Sequence, residues 1–104
     1  MSGKTLFDKI WDEHVIADLG DGNALLHVDR HILHDLGGPR GLTDLASRGL
    51  PVHSPHLTFA VPDHAVSSAP GRGDDGTALS ARMVPALRKL TKQAGIRLYD
   101  INDP

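Results

Sequence analysis

Phe59-Ala60-Val61-Pro62-Asp63-His64-Ala65-Val66 is the stretch from which the expected architecture follows. With Leu57 and Thr58 before it, its opening is a short apolar run of strand type, and Pro62 ends that run. A carboxylate and an imidazole come next. A strand that stops at such a point fixes the backbone and leaves the following side chains exposed, a common way to present a proton-transfer group. On the functional reading, Asp63 favours the imidazolium form of His64, which can then donate a proton. The bland alternative is a turn in which Asp63 caps a helix and His64 is solvated. A dipeptide does not decide between them.

Working outward, the strand 57–61 follows a proline-punctuated loop, Pro51 to His56. Before that loop, Pro39 to Arg48 reads as a helix. Pro39 suits a first turn, Leu42, Leu45 and Ala46 form an apolar side, and Gly49 stops it. Downstream, Ser67 to Gly76 reads as an exposed glycine-rich loop. Thr77 to Ala94 then predicts a long amphipathic helix carrying Leu79, Met83, Leu87 and Leu90, with Pro85 expected to kink or divide it. Gly95 suits the residue after the helix, and Ile96 to Ile101 suits a last strand. At the start, Thr5 to His14 predicts a helix with Thr5 as N-cap, Asp8 in the capping-box position and Leu6, Ile10 and Trp11 on one face. Asp18 to Asn23 reads as a polar turn, and Ala24 to Leu33 as extended chain. Helix, strand, helix, strand, helix, strand favours an α/β layer arrangement within a single domain, residues 1–104.

Composition narrows the function classes. The chain has 104 residues, 39% of them hydrophobic, with only one Trp, one Tyr and two Phe to fill a core. A formal net charge of -2 supplies no basic face for nucleic acid. No run approaches the roughly 20 apolar residues of a membrane span. Met-Ser-Gly-Lys-Thr at the start has no apolar core of a secretory signal, so a cytoplasmic location is expected. With no cysteine, the chain forms no disulfide, thiolate metal site, cysteine nucleophile or cysteine-bound cluster of its own.

Seven histidines are many for this length. On a helix, His27, His31 and His34 would share a face and hold zinc with Asp29 or Asp35. On a strand, His27 and His31 share a face and His34 points away. The strand reading is preferred, so no metal ligands are assigned. Asp29-Arg30 reads most simply as an ion pair or turn element, with a carboxylate-binding Arg30 as the functional alternative. His53 and His56 read as solvated. Gly71-Arg72-Gly73 lacks the strand–loop–helix setting of a phosphate loop.

Taken in order, Lys4-Thr5-Leu6-Phe7-Asp8-Lys9-Ile10-Trp11, His14-Val15 and Asp29-Arg30-His31-Ile32-Leu33-His34-Asp35 resemble the opening of the 3-isopropylmalate dehydratase large subunits, in the aconitase superfamily. Gly49-Leu50-Pro51-Val52, Thr58-Phe59-Ala60, Asp63-His64, Val66-Ser67 and Gly95-Ile96-Arg97-Leu98-Tyr99-Asp100 continue the resemblance, which covers nearly the whole chain. It implies an N-terminal fragment of a three-layer aconitase-like α/β domain. The activity implied is hydro-lyase chemistry in leucine biosynthesis, interconverting 2-isopropylmalate and 3-isopropylmalate by dehydration and rehydration. It also implies a [4Fe-4S] cluster held by three cysteines elsewhere, and a small subunit supplying a serine base. His64 with Asp63 would then be the catalytic acid pair, and His34, with Arg30 and His31, would contact the small hydroxy-acid substrate. Pro62 and Ala65 flank the pair where members often carry Met and Asn, and Gly37-Gly38 stands where many have Thr-Ser. These departures leave the preferred hydroxy acid open.

By this resemblance, the 104 residues need the remainder of the large subunit and the small subunit to turn over substrate, and alone they are expected to be inactive. Two further readings remain at this point. One is a stand-alone binding module derived from the dehydratase, and the other is a histidine-rich metal-binding domain.

Overall fold

A computed structural model describes residues 2–71 and 76–104. The expected loop over 67–76 and the Gly71-Arg72-Gly73 segment fall partly outside those residues. The chain begins with helix α1, Leu6–His14. Thr5 and Asp8 close a reciprocal capping box: each side chain accepts the other's backbone N–H. This satisfies two of the donors that a helix start leaves unpaired.

The turn expected at 18–23 is the tip of a β-hairpin. Strand β1, Val15–Gly20, pairs antiparallel with β2, Asn23–Leu26. Asp21 and Gly22 join them with positive φ at both positions, 53° and 78°. That is the left-handed geometry a two-residue hairpin loop needs, and an Asp-Gly pair favours it. The expected extended segment 24–33 is therefore two strands. β2 ends at Leu26, and β3, His31–His34, begins after an irregular link.

The second sheet positions the chemistry. β3, β4 (Thr58–Val61) and β5 (Arg97–Leu98) are parallel, in that order. Helices α2, Gly37–Ser47, and α3, Ala78–Ala94, make the two crossovers and pack together on one face. A short 3-10 turn, Pro55–Leu57, leads into β4. α3 runs unbroken through Pro85, which lies on its exposed side, where water can satisfy the carbonyl that proline leaves unpaired. Gly95 ends α3 at φ 71°. The last strand is shorter than expected. Beyond Leu98 only the Tyr99 N–H still reaches the Ala60 carbonyl, at 2.9 Å. Asp100 is then drawn to α3 by a two-point ion pair with Arg88, at 2.6 and 3.0 Å.

Leu33, Ala60 and Leu98 lie side by side across the sheet and face the helices. With Leu42, Leu87 and Ile96 they form the core, closed by Val52, Leu90 and Ala94. Gly38 allows the close approach of α2: a Cβ there would sit 3.0 Å from Leu87 Cδ1 and 3.4 Å from Leu33 Cβ. The opposite sheet face is open, with Ile32 67% exposed.

α1 and the hairpin add little to this core. No residue of α1 is buried, and the apolar face expected from Leu6, Ile10 and Trp11 forms but points outward. Phe7 and Trp11 stack on each other at 5.8 Å. The radius of gyration is 17.5 Å, against about 13 Å for a compact chain of this length. His14 ties this arm to the rest. Its carbonyl accepts the His27 N–H at 2.7 Å, and its Nε2 meets Asp29 at 3.0 Å. Asp29 thus pairs with His14 rather than with Arg30, whose Nη1 donates to the Asp29 carbonyl.

Two outcomes are expected. Leu87→Ala, at a fully buried position, should lower unfolding stability by about 2–5 kcal/mol, read from denaturant melts. The second concerns His14, whose ring donates from Nδ1 to the Ile10 carbonyl and from Nε2 to Asp29; these bonds raise its pKa above 6.5. The protonated ring therefore supports the arm fully below pH 6.5, and that support is lost as pH rises through the folded-state value. In a histidine NMR titration, Asp29→Asn should bring His14 part of the way back toward 6.5. An unchanged midpoint would show that the ion pair is not formed.

Candidate active site

In parallel α/β sheets, ligands bind beyond the carboxyl ends of the strands. Here that edge carries His34 at the end of β3 with Asp35 just after it, and Asp63 and His64 after β4. Pro62 ends β4, and residues 63 and 64 follow without helix, so Asp63 is not a helix cap.

Asp35 organises this edge. Its side chain is fully buried. Oδ1 accepts the backbone N–H groups of Asp63 and His64 at 3.2 and 3.0 Å, and Oδ2 accepts that of Ala65 at 2.6 Å. Burial pushes its pKa up, but the three N–H donors outweigh burial and hold it below 3.8. The charged carboxylate therefore contributes stability that is complete above 3.8 and lost as pH falls through the lower folded value.

His64 sits on the turn that Asp35 holds. Its Nδ1 lies 2.5 Å from Asp63 Oδ1 and 3.7 Å from Asp35 Oδ1. A carboxylate only accepts, so Nδ1 carries a proton and Nε2 is left for a ligand. The side chain is 45% exposed. The His34 ring lies beside it, 4.2 Å between centroids. His34 Nδ1 accepts the N–H groups of Leu36 and Gly37, at 3.2 and 3.3 Å. It thereby caps α2, for which Leu36 provides no side-chain cap. With Nδ1 accepting, the ring proton of His34 is on Nε2. A Cβ on Gly37 would meet His34 Cε1 at 3.4 Å, an ordinary contact, so the ring lies against the first turn of α2.

His34, Asp35, Asp63 and His64 offer ligand atoms within 4.8 Å of one another. Both Asp35 oxygens and Nδ1 of His34 are already engaged by backbone N–H groups, so this geometry favours a hydrogen-bonded acid pair over a metal centre. The three-histidine zinc arrangement does not form, because His31 and His34 leave β3 on opposite faces. A [4Fe-4S] cluster does not fit these residues either: there is no cysteine in the chain to hold one.

Arg30 and His31 are not brought to His64. They lie at the other end of β3, roughly 10 Å of strand away. There they line a cleft of about 740 Å³ with His27, His53 and Thr58. His53 bonds Ser54 at 2.9 Å. Sequence alone offers Asp35 as a metal ligand and not as a backbone anchor. The available signal is an acid at a strand-to-helix junction, where a charge is buried only if hydrogen bonds satisfy it. The departure at Gly38 also has a physical counterpart, since a hydroxylated side chain there would press on Leu87.

Residues 8–103 match the aconitase family (aconitate hydratase). Over 103 residues the chain is 60% identical to 3-isopropylmalate dehydratase large subunit 1 of Bradyrhizobium diazoefficiens, a match covering 98% of this chain and 21% of that protein. The chain thus spans about a fifth of the length of this relative. No solved structure matches. Among the described residues, no helix is long and apolar enough to cross a membrane. By the extent of the first match, the chain belongs to the aconitase family.

Proposed function

We propose that this chain forms the acid-bearing wall of a hydro-lyase that interconverts 2-isopropylmalate and 3-isopropylmalate by dehydration and rehydration, as a step in leucine biosynthesis. The observation that supports this most is the His64 ring, clamped through Nδ1 to Asp63 and presenting Nε2 outward at the carboxyl edge of the sheet. In dehydration, Nε2 of protonated His64 delivers its proton to the leaving hydroxyl as the C–O bond breaks, and water departs. The proton on the neighbouring carbon goes to a base from the small subunit. Rehydration at the adjacent carbon runs the same transfers in reverse. Asp63 keeps the ring oriented and compensates its charge while it is protonated. Nε2–H of His34 is a neutral donor suited to a substrate oxygen beside that ring.

The cluster and its cysteines belong to the remainder of the large subunit, which lies outside these 104 residues. Arg30 and His31 are assigned to the substrate only if the assembled site extends to the far end of β3. The exposed apolar arm, with Leu6 73% and Phe7 68% exposed, suits burial against that remainder or the small subunit. A cytoplasmic setting fits this reading, and the isolated chain is inactive under it.

In the assembled enzyme, His64→Ala is expected to lower kcat by about 10²–10⁴-fold with the cluster retained. Asp63→Asn should have a smaller effect in the same direction. Full turnover by the His64 variant would end the acid assignment.

A further inference from the structure

We infer that Asp35 is a positioning residue for the acid pair: its buried carboxylate fixes the turn that aims His64. This deepens the proposed function and rests on it. The geometry is specific. A side chain at the end of β3 reaches across to three consecutive backbone N–H groups after β4, those of Asp63, His64 and Ala65. Pro62, just before them, has no N–H to offer. The three N–H groups therefore converge on one anion in the manner of a backbone nest, but the anion is a side chain of the same chain. Ala65 is 1% exposed and Asp35 is fully buried, so the acceptor end of these bonds is shielded from water.

The orientation of His64 is then fixed at two points. The main chain at 64 is held by Asp35 Oδ1, and the ring is held by Asp63, whose own N–H is bound to the same Asp35 oxygen. Asp35 Oδ1 also lies 3.7 Å from His64 Nδ1. The ring proton thus faces two carboxylates, one exposed and one buried. His34, the residue before Asp35, completes the surroundings of the ring. The substrate need not touch Asp35, which acts only through residue 64.

The first test uses NMR on the 104-residue chain. The amide protons of 63, 64 and 65 should titrate together with a midpoint below 3.8, while core amides such as that of Leu87 keep their folded shifts over the same range. Amides that ignore that titration overturn the inference, whatever His64 does. The second test is a double-mutant cycle in the assembled enzyme. Asp35→Asn keeps the size of the side chain but replaces one acceptor by a donor, and it should lower kcat about 10²-fold with KM nearly unchanged. In a His64→Ala background the same change should cost almost nothing further. Asp35→Glu, which restores the charge but displaces it, should recover little. Additive losses, with His64 essential, would sink the positioning role alone and make Asp35 merely structural. Full activity of His64→Ala would instead sink the acid–base reading, and the amide titration would still report on the carboxylate contact by itself.

Discussion

The interaction on which the candidate site depends is the bond set between one buried carboxylate and the backbone that follows β4. A carboxylate placed inside a protein without partners is costly enough that it would instead take up a proton. Asp35 avoids this because three N–H groups, which would otherwise be unpaired at the end of a strand, all turn toward it. Each side satisfies the other. The loop after β4 therefore has one conformation close to the sheet edge rather than many, and the ring on that loop inherits the order.

The same economy recurs at His34, which serves two purposes with its two nitrogens. Nδ1 stands in for the missing N-cap of α2, a helix that opens on Leu36, Gly37 and Gly38 and has no side-chain oxygen in position. Binding those N–H groups sets the tautomer and leaves Nε2–H outward. Gly38 lets the helix come close to Leu33 and Leu87. Core packing on one face of the sheet and donor placement at its edge are thus coupled through the first turn of α2.

Elements stabilised locally were legible in the sequence. The capping box of Thr5 and Asp8, Gly49 after α2 and Gly95 after α3 are short-range devices and appear as read, whereas α2 starts at Gly37, two residues before the expected Pro39, because His34 caps it from the preceding strand. The strand of β4 and the acid and imidazole after it were legible for the same reason. The hairpin was not, although Asp21-Gly22 was visible as a turn. Val15 and Ala17 of β1 are partly buried while Ile16 and Leu19 are 61% and 64% exposed, so apolar residues stand on both faces and the sequence lacks the apolar–polar alternation from which a strand is recognised. Asp35 was hidden for a different reason. Its partners lie 28 to 30 residues away, and no local pattern marks a side chain whose purpose is to hold a distant backbone.

Two kinds of unfinished surface separate the two halves of the chain in energetic terms. The α2–α3 side buries Leu42, Ala60, Leu87 and Ile96 in one core. The arm of α1, β1 and β2 cannot be accounted for in that way. An isolated two-stranded hairpin is marginal in water, and a short helix gains most of its stability from packing its apolar face. Here that face is open, and so is the outer side of the sheet at Ile32. The Asp63-His64 pair lies at the carboxyl edge of the sheet, away from the end of β3 at which the arm joins it. Under the proposed function a second wall is needed at that edge, and the open sheet face is the surface such a wall would bind.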